Sequence, residues 1–495
     1  MLNGPWKVAR NLNSTIKMLT SNRQRMCRPL LAVRGLPTDF ADWVRQGAAG
    51  WGWSDVLPYF RRLETDLDFT GDAHGSDGPL PIRRLPRDVW PGFARAVADA
   101  AETMGFQNIQ DHNAIHTDGY FPMAINNRDD QRVSAARAYL TDAVRRRPNL
   151  EIVTQGRATR IRLQDRRAIG VDAVDPQGRP THIPARQVVV AAGALHSPAL
   201  LLRSGIGPAD HLSALGVPVV ADRPGVGANL QDHPMVALAA HLAPEARCAT
   251  AMRRHIHIGV RYSSGRPACP GGDMFILPSS RAGWHPLGRT LGSVLVCVNR
   301  PFSRGSVRLA SADPSTPPVV QFRLLDDARD RERLEDGVHK LAALMTAPGV
   351  AAIARDPFPT TFSERVRTLG APSIKTFVQT WIAARVLGLG SAARRMMVRR
   401  VLSPDVGLGD LLADPQVLSA WVQQNTCGSW HASGTCRMGA ADDPDAVLDP
   451  ACRVMGVDGL RVVDASIMPS LVSANTALAT IMAAEKIADQ MRTAG

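Results

Sequence analysis

Apolar and polar positions alternate in some stretches of this chain and run together in others, and the two patterns predict different elements. Over residues 151–163 (EIVTQGRATRIRL) β-branched and polar residues alternate, which predicts a strand; residues 168–175 (AIGVDAVD) predict its neighbour after a turn at 165–167. Residues 187–192 (QVVVAA) form a short unbroken apolar run, the pattern of a strand buried on both faces of a parallel sheet. Gly193 ends it. In the following ALHSPALLLRSGIGP, Ser197 can cap a helix, Pro198 fits its first turn and Gly205 stops it. A strand, a glycine turn and a helix in this order form the junction at which a doubly wound α/β fold binds its ligand. Residues 460–463 give another strand signal, closed by Asp464. The helix-like ANTALATIMAAEKIADQM comes next, with Ser473 or Asn475 as its cap and Leu478, Ile481 and Met482 on its apolar face.

Between about 236 and 424 the style changes to proline-containing loops, strand-like pieces at 293–298 and 306–309, and helical stretches, which predicts a second domain. Residues 377–402 are apolar on one side and carry Arg385, Arg394, Arg395, Arg399 and Arg400. They read as a surface helix pair broken at Gly388 and Gly390; peripheral contact with an anionic membrane is the alternative. No fixed-period repeat and no run of about 18 apolar residues occurs, so neither a solenoid nor an ordinary transmembrane helix is predicted.

Composition adds bounds. A chain of 495 residues with 45% apolar residues can bury a large core and form two or more domains. The formal charge of +13 would suit an anionic partner. Its arginines are scattered among acidic residues, however, with no basic run interleaved with aromatics, so nucleic acid is not the expected partner. Seven cysteines at irregular spacings, without a CxxC pair, fit a reducing cytoplasm and no zinc site, and the first residues carry no secretory signal.

Three segments carry a resemblance. Residues 193–208 (GALHSPALLLRSGIGP), 431–439 (HASGTCRMG) and 460–489 (LRVVDASIMPSLVSANTALATIMAAEKIAD) resemble the signatures of the glucose-methanol-choline (GMC) family, choline dehydrogenase and bacterial alcohol dehydrogenase type. Residues 33–64, 134–140, 225–234 and 301–314 also read as family segments. The resemblance implies an α/β, Rossmann-like FAD-binding domain and an α+β substrate-binding domain with an antiparallel sheet. It divides the chain at 1–30, 31–235 (the remaining FAD-binding part from about 145), 236–424 and 425–495.

It further implies FAD-dependent oxidation of an alcohol, primary by expectation, to an aldehyde. Such chemistry needs a base for the hydroxyl proton, a donor for the alkoxide and a hydride acceptor. The resemblance puts His431 in the first role and Asn475 in the second. It places Ala158, Gly193, Asp464, Ala465, Asn475 and Thr476 near the cofactor, and Asn229 and His233 near the flavin without a catalytic role. An imidazole suits a base because its ordinary pKa of about 6.5 leaves it largely neutral at pH 7. The partner is a small-molecule alcohol; oxygen, a quinone or a carrier protein could take the electrons. Trp51, Trp53 and Trp430 are candidate lining, with core packing in the GWGW turn the preferred reading of the first two.

One part of the family pattern is missing. No strand, GxGxxG turn and helix opens the chain, and QRMCRP (24–29), with Arg28, stands where the family has a Gly-Gly-Ser-Ser loop and an Asn for the pyrophosphate. The fold is therefore expected to lack its first βαβ unit and to have a gap at the centre of its parallel sheet. A start codon placed too late or a frameshift, a truncated remnant without tightly bound FAD, and a partner chain that supplies the unit would each explain it.

Overall fold

The computed structural model describes residues 6–11, 15–20, 31–361, 368 and 370–493. One sheet has five strands, in the order Leu460–Val462, Gln187–Ala191, Thr15–Thr20, Trp6–Asn11 and Leu150–Thr154. Gln187–Ala191 runs parallel to both neighbours, and Val188 and Val190 are fully buried, as its unbroken apolar run requires. The gap expected at the centre is filled. Thr15–Thr20 lies there, parallel to Gln187–Ala191, and pairs antiparallel with Trp6–Asn11, which pairs antiparallel with Leu150–Thr154. An open edge of backbone N–H and C=O groups recruits an extended segment, and the amino-terminal hairpin supplies one. Only three residues separate its two strands, too few for the helix of a strand–glycine turn–helix unit.

The strand predicted over 151–163 is two strands. Gln155 adopts φ 65, and the chain changes sheets at that point. Leu150–Thr154 ends the five-stranded sheet, whereas Arg157–Gln164 joins Arg167–Val174 and Pro180–Pro184 in an antiparallel sheet of three.

The larger sheet is antiparallel, in the order Ala354–Pro359, Pro234–Leu242, Leu291–Val298, Met274–Ser279, Ile258–Tyr262 and Gly119–Pro122. Cys427–Gly428 pairs with the start of Pro234–Leu242. The sheet thus draws its edge strand from before residue 236. Side-chain parity explains its two faces. Val236, Leu238, Val294 and Val296 pack with the helices Gly92–Thr103 and Ala328–Thr346. Residues of the opposite parity, Met235, Leu277, Leu295 and Cys297, face a cavity. With both faces covered, all nine residues of Pro234–Leu242 are buried.

Residues 377–402 form the expected pair, Ile374–Gly388 and Ser391–Met397, separated at Gly390 with φ 138. No helix among the described residues is long and apolar enough to cross a membrane. The six described cysteines are free thiols.

Candidate active site

His431 follows the short strand Cys427–Gly428, and Asn475 directly precedes the helix Thr476–Thr493. The fold closes the 44 positions between them to one contact, Asn475 Nδ2 to His431 Nε2 at 2.9 Å. Two buried carboxylates hold the loops that carry them. Asp232 accepts the backbone N–H groups of His233, Trp430 and His431 at 2.8, 3.1 and 2.8 Å. Burial pushes its carboxyl up to about 6, against the opposing pull of those N–H groups. A Cβ at Gly428 would lie 2.4 Å from Asp232 Oδ2, so only glycine lets the carboxylate in. Asp39, on the helix Pro37–Arg45, accepts the N–H and the hydroxyl of Ser473, both at 2.8 Å, and burial likewise raises it to about 6. Asn229 joins the two loops, donating to the carbonyls of Gly434 at 3.2 Å and Pro469 at 3.0 Å.

His233 is the member that the sequence reading left without a role. Its Nδ1 lies 2.8 Å from His431 Nδ1 and its Nε2 lies 3.1 Å from the Val472 carbonyl. A carbonyl only accepts, so the proton of a neutral His233 sits on Nε2 and its Nδ1 offers a lone pair. Burial holds the ring down to about 4, hence neutral at pH 7. His431 must then donate through Nδ1, which leaves a lone pair on Nε2 toward Asn475. That is the tautomer a base requires. The sequence offered only an Asp-His pair in NLQDHP, with nothing to show that this histidine meets another 198 positions on.

These groups border a cavity of about 160 Å³. Met235, Phe275, Leu277, Leu295 and Cys297 give it apolar walls, Trp430 adds an aromatic one, and none of its lining residues among those described is a carboxylate. Trp51 and Trp53 are core instead. The Trp51 ring donates to the Pro450 carbonyl at 2.8 Å, and Trp53 packs against Phe40 and Phe60.

Of the residues expected near the cofactor, Gly193 and Asp464 meet at the carboxyl ends of adjacent parallel strands. Gly193 N–H donates to Asp464 Oδ2 at 2.8 Å, with Gly193 at φ 80. Ser197 does not cap its helix as expected; its hydroxyl donates to the same carboxylate at 2.5 Å and accepts the Ala192 N–H, because a charged acceptor is the stronger partner. The Ala465 carbonyl accepts the Gly434 N–H at 3.1 Å and so joins this corner to the His431 loop. Ala158 stands on the three-stranded sheet opposite Ala173. Ser473 is held by Asp39 and Asn475 faces His431, so neither side chain caps the helix at Thr476 among the described hydrogen bonds.

The residues present fit the flavin end of FAD. An amide donor, a neutral imidazole and the first turn of an 18-residue helix, whose N–H groups carry partial positive charge, converge on the cavity. The segment expected at the pyrophosphate, Gln24 to Pro29 with Arg28, lies outside the described residues.

One buried cluster has the donor types of a metal site, Glu64, Asp66 and His74. Arg34 pairs with Glu64, and Arg84 reaches Asp66 at 2.9 Å and Asp111 at 3.0 Å. Against the burial that lowers it, the hydrogen bonds it donates to Asp111, Asp66 and Glu64 raise His74 to about 10. An imidazolium has no lone pair for a metal. The cluster is an ion network under the segment that begins at Leu31.

Comparison with known proteins agrees with this geometry. Sequence models described as GMC oxidoreductase match residues 30–235 and 301–484. The chain is 41% identical over 487 residues to 5-(hydroxymethyl)furfural oxidase of Methylovorus sp. (strain MP688), covering 97% of this chain and 81% of that protein. It is 32% identical over 490 residues to oxygen-dependent choline dehydrogenase of Brucella canis, covering 93% and 79%. Among solved structures, pyridoxine 4-oxidase from Mesorbium loti aligns with a TM-score of 0.76 at 30% identity, over 94% of this chain and 82% of that one. A formate oxidase aligns with a TM-score of 0.77 at 20% identity, over 99% and 88%, a likeness of fold. The chain belongs to the GMC oxidoreductase family, and is an FAD-dependent oxidoreductase acting on the CH–OH group of a small-molecule alcohol.

Proposed function

We propose that the enzyme oxidises an uncharged, flat primary alcohol of the furfuryl or benzyl type to its aldehyde. The observation that carries this reading is the His431 Nε2 lone pair, fixed 2.9 Å from Asn475 Nδ2 on a cavity with no carboxylate among its described lining residues. An alcohol placed there gives its hydroxyl proton to His431 Nε2 while Asn475 donates to the same oxygen as negative charge builds on it. FAD, when bound, supplies the two-electron acceptor for the hydride that leaves the carbinol carbon. His431 becomes an imidazolium whose Nδ1–H still points at the neutral His233. Gly193, Asp464, Ala465 and Thr476 are the proposed cofactor neighbours, with Ala158 toward the adenine.

The apolar walls favour a ring-bearing substrate, and a quaternary ammonium such as choline would meet one tryptophan and, among the described lining residues, no counter-charge. The compared furfural and pyridoxine enzymes are named as oxidases, which supports oxygen over a quinone or a carrier protein as electron acceptor.

The test is to purify the chain with FAD, record its visible spectrum, and measure aldehyde formation and oxygen uptake with 5-(hydroxymethyl)furfural, benzyl alcohol and choline. We expect flavin absorbance, turnover of the ring alcohols over choline, and loss of turnover in His431→Ala. A protein that stays colourless with added FAD, or one that prefers choline, overturns the reading.

A further inference from the structure

The helix Ile374–Gly388 carries its apolar stripe on the outside. Thr376, Thr380 and Leu387 are its buried residues. The two threonines need nothing from the core, since Thr376 donates to the Ala371 carbonyl at 2.6 Å and Thr380 to that of Thr376 at 2.7 Å. Ile374, Phe377, Val378, Trp381 and Ile382, spaced three and four apart on one face, are exposed, Ile374 to 86% and Trp381 to 47%. Leu389, at the break between the helices, is 78% exposed. This is no loose arm. Leu387, Ala383, Met397 and Leu402 anchor the pair on Leu287 and Phe358 of the substrate-binding layer. Trp284, also exposed, donates to the Gly370 carbonyl and precedes the helix Pro286–Thr290, which packs against Ile374–Gly388.

The charge around the stripe has one sign. No acidic residue occurs between Glu364 and Asp405, while Lys375, Arg385 and Arg395 are exposed on the pair and Arg399 and Arg400 on the turn Val398–Leu402 that continues it. Arg394 differs, being paired with Asp356 at 2.7 Å. We propose that this helix pair docks the enzyme peripherally on an anionic lipid bilayer. The stripe sinks to the boundary of headgroups and acyl chains, the two tryptophans sit at headgroup level, and the guanidinium groups bind lipid phosphates. A second copy of the chain fits poorly, because a two-fold contact sets each patch against itself and so opposes like charges.

The experiment sediments the full-length, FAD-supplied enzyme with vesicles of phosphatidylcholine alone, or with about one-third phosphatidylglycerol. We expect pelleting with the anionic vesicles only, weakening as salt is raised. Arg395→Glu/Arg399→Glu/Arg400→Glu should lower the partition coefficient more than 100-fold, from roughly fivefold per basic residue removed. Phe377→Ser/Trp381→Ser should lower it at least tenfold. Both variants should keep flavin absorbance and turnover in solution. A readout on the unmodified enzyme guards against misfolded variants: its tryptophan emission should be quenched by brominated anionic lipid. Absence of pelleting, equal pelleting on neutral vesicles, a dimer in light scattering that Trp381→Glu dissolves, or retention on polyglutamate without vesicle binding would each overturn the proposal.

Discussion

Replacing His233 by leucine isolates the hydrogen bond that sets the His431 tautomer. In the native site His431 Nδ1–H points at His233 Nδ1 across 2.8 Å, and the Val472 carbonyl fixes which nitrogen of His233 can accept. Leucine fills similar space but offers no lone pair, so His431 loses the partner of its Nδ1–H and no longer excludes the tautomer with its proton on Nε2. With His431 as the proposed base, the bond matters most once it has taken the substrate proton, because its donor is then charged. A hydrogen bond to a charged group contributes about 1.5–3 kcal/mol. At 1.36 kcal/mol per tenfold this predicts a fall in kcat/KM of roughly 10- to 150-fold. The loss should persist across the neutral pH plateau, since raising the pH does not restore a tautomer. His233→Gln should recover most of the rate, its side-chain oxygen accepting from His431 and its amide donating to Val472. Stopped-flow reduction of the bound flavin, at matched flavin content, is the assay. A His233→Leu enzyme within threefold of wild type, or a His233→Gln enzyme as slow as His233→Leu, would show that His233 acts by shape alone.

Three further outcomes follow from the same geometry. Asn475→Ala removes the donor proposed to face the alcohol oxygen and should lower kcat about 10²- to 10³-fold in steady-state assays, as deletion of an oxyanion donor does. Gly428→Ala puts a Cβ 2.4 Å from Asp232 Oδ2 and should displace the His431 loop, read as a loss of kcat with flavin retained. His74 is raised to about 10, so its protonated form contributes stability that is complete below about pH 6.5 and is lost as pH rises through 10. In urea unfolding across that range, His74→Gln should be most destabilised relative to wild type at the low end, by on the order of 4 kcal/mol, and the gap should close toward pH 10.

The parts of the fold legible in the sequence are those in which one local pattern has one outcome. QVVVAA reads as a doubly buried strand because no polar residue interrupts it, and the Gly193 turn follows from chain direction alone. Other features depend on what the tertiary structure places nearby. Gln155 breaks a well-alternating strand, and nothing in its residue type forecasts φ 65. Ser197 was a fair cap until the fold brought the carboxylate of Asp464, 267 positions away, within 2.5 Å. The helix Ile374–Gly388 shows the same limit in another form: periodicity locates an apolar stripe but not the side of the helix that meets the core, and here threonine faces inward.

The site divides along the same line. His431 and Asn475 were singled out because motif segments surround them, and the fold brings their nitrogens to 2.9 Å. The parts played by Asp39, Asp232 and His233 were not legible, because the contacts that tie them to His431 and Asn475 span long separations. Asp39 holds the segment before Asn475 from 434 positions away, and Asp232 holds the His431 backbone from 199. Each of these carboxylates is buried against its own preference, as its raised pKa shows, and each is kept there by N–H groups of the loop it holds. A displaced loop would leave a buried carboxylate short of donors, so each loop has one favourable position. That coupling lets two residues on separate segments keep hydrogen-bond distance, and it makes Asp39 and Asp232 the residues whose loss should disturb the His431–Asn475 spacing without touching either side chain.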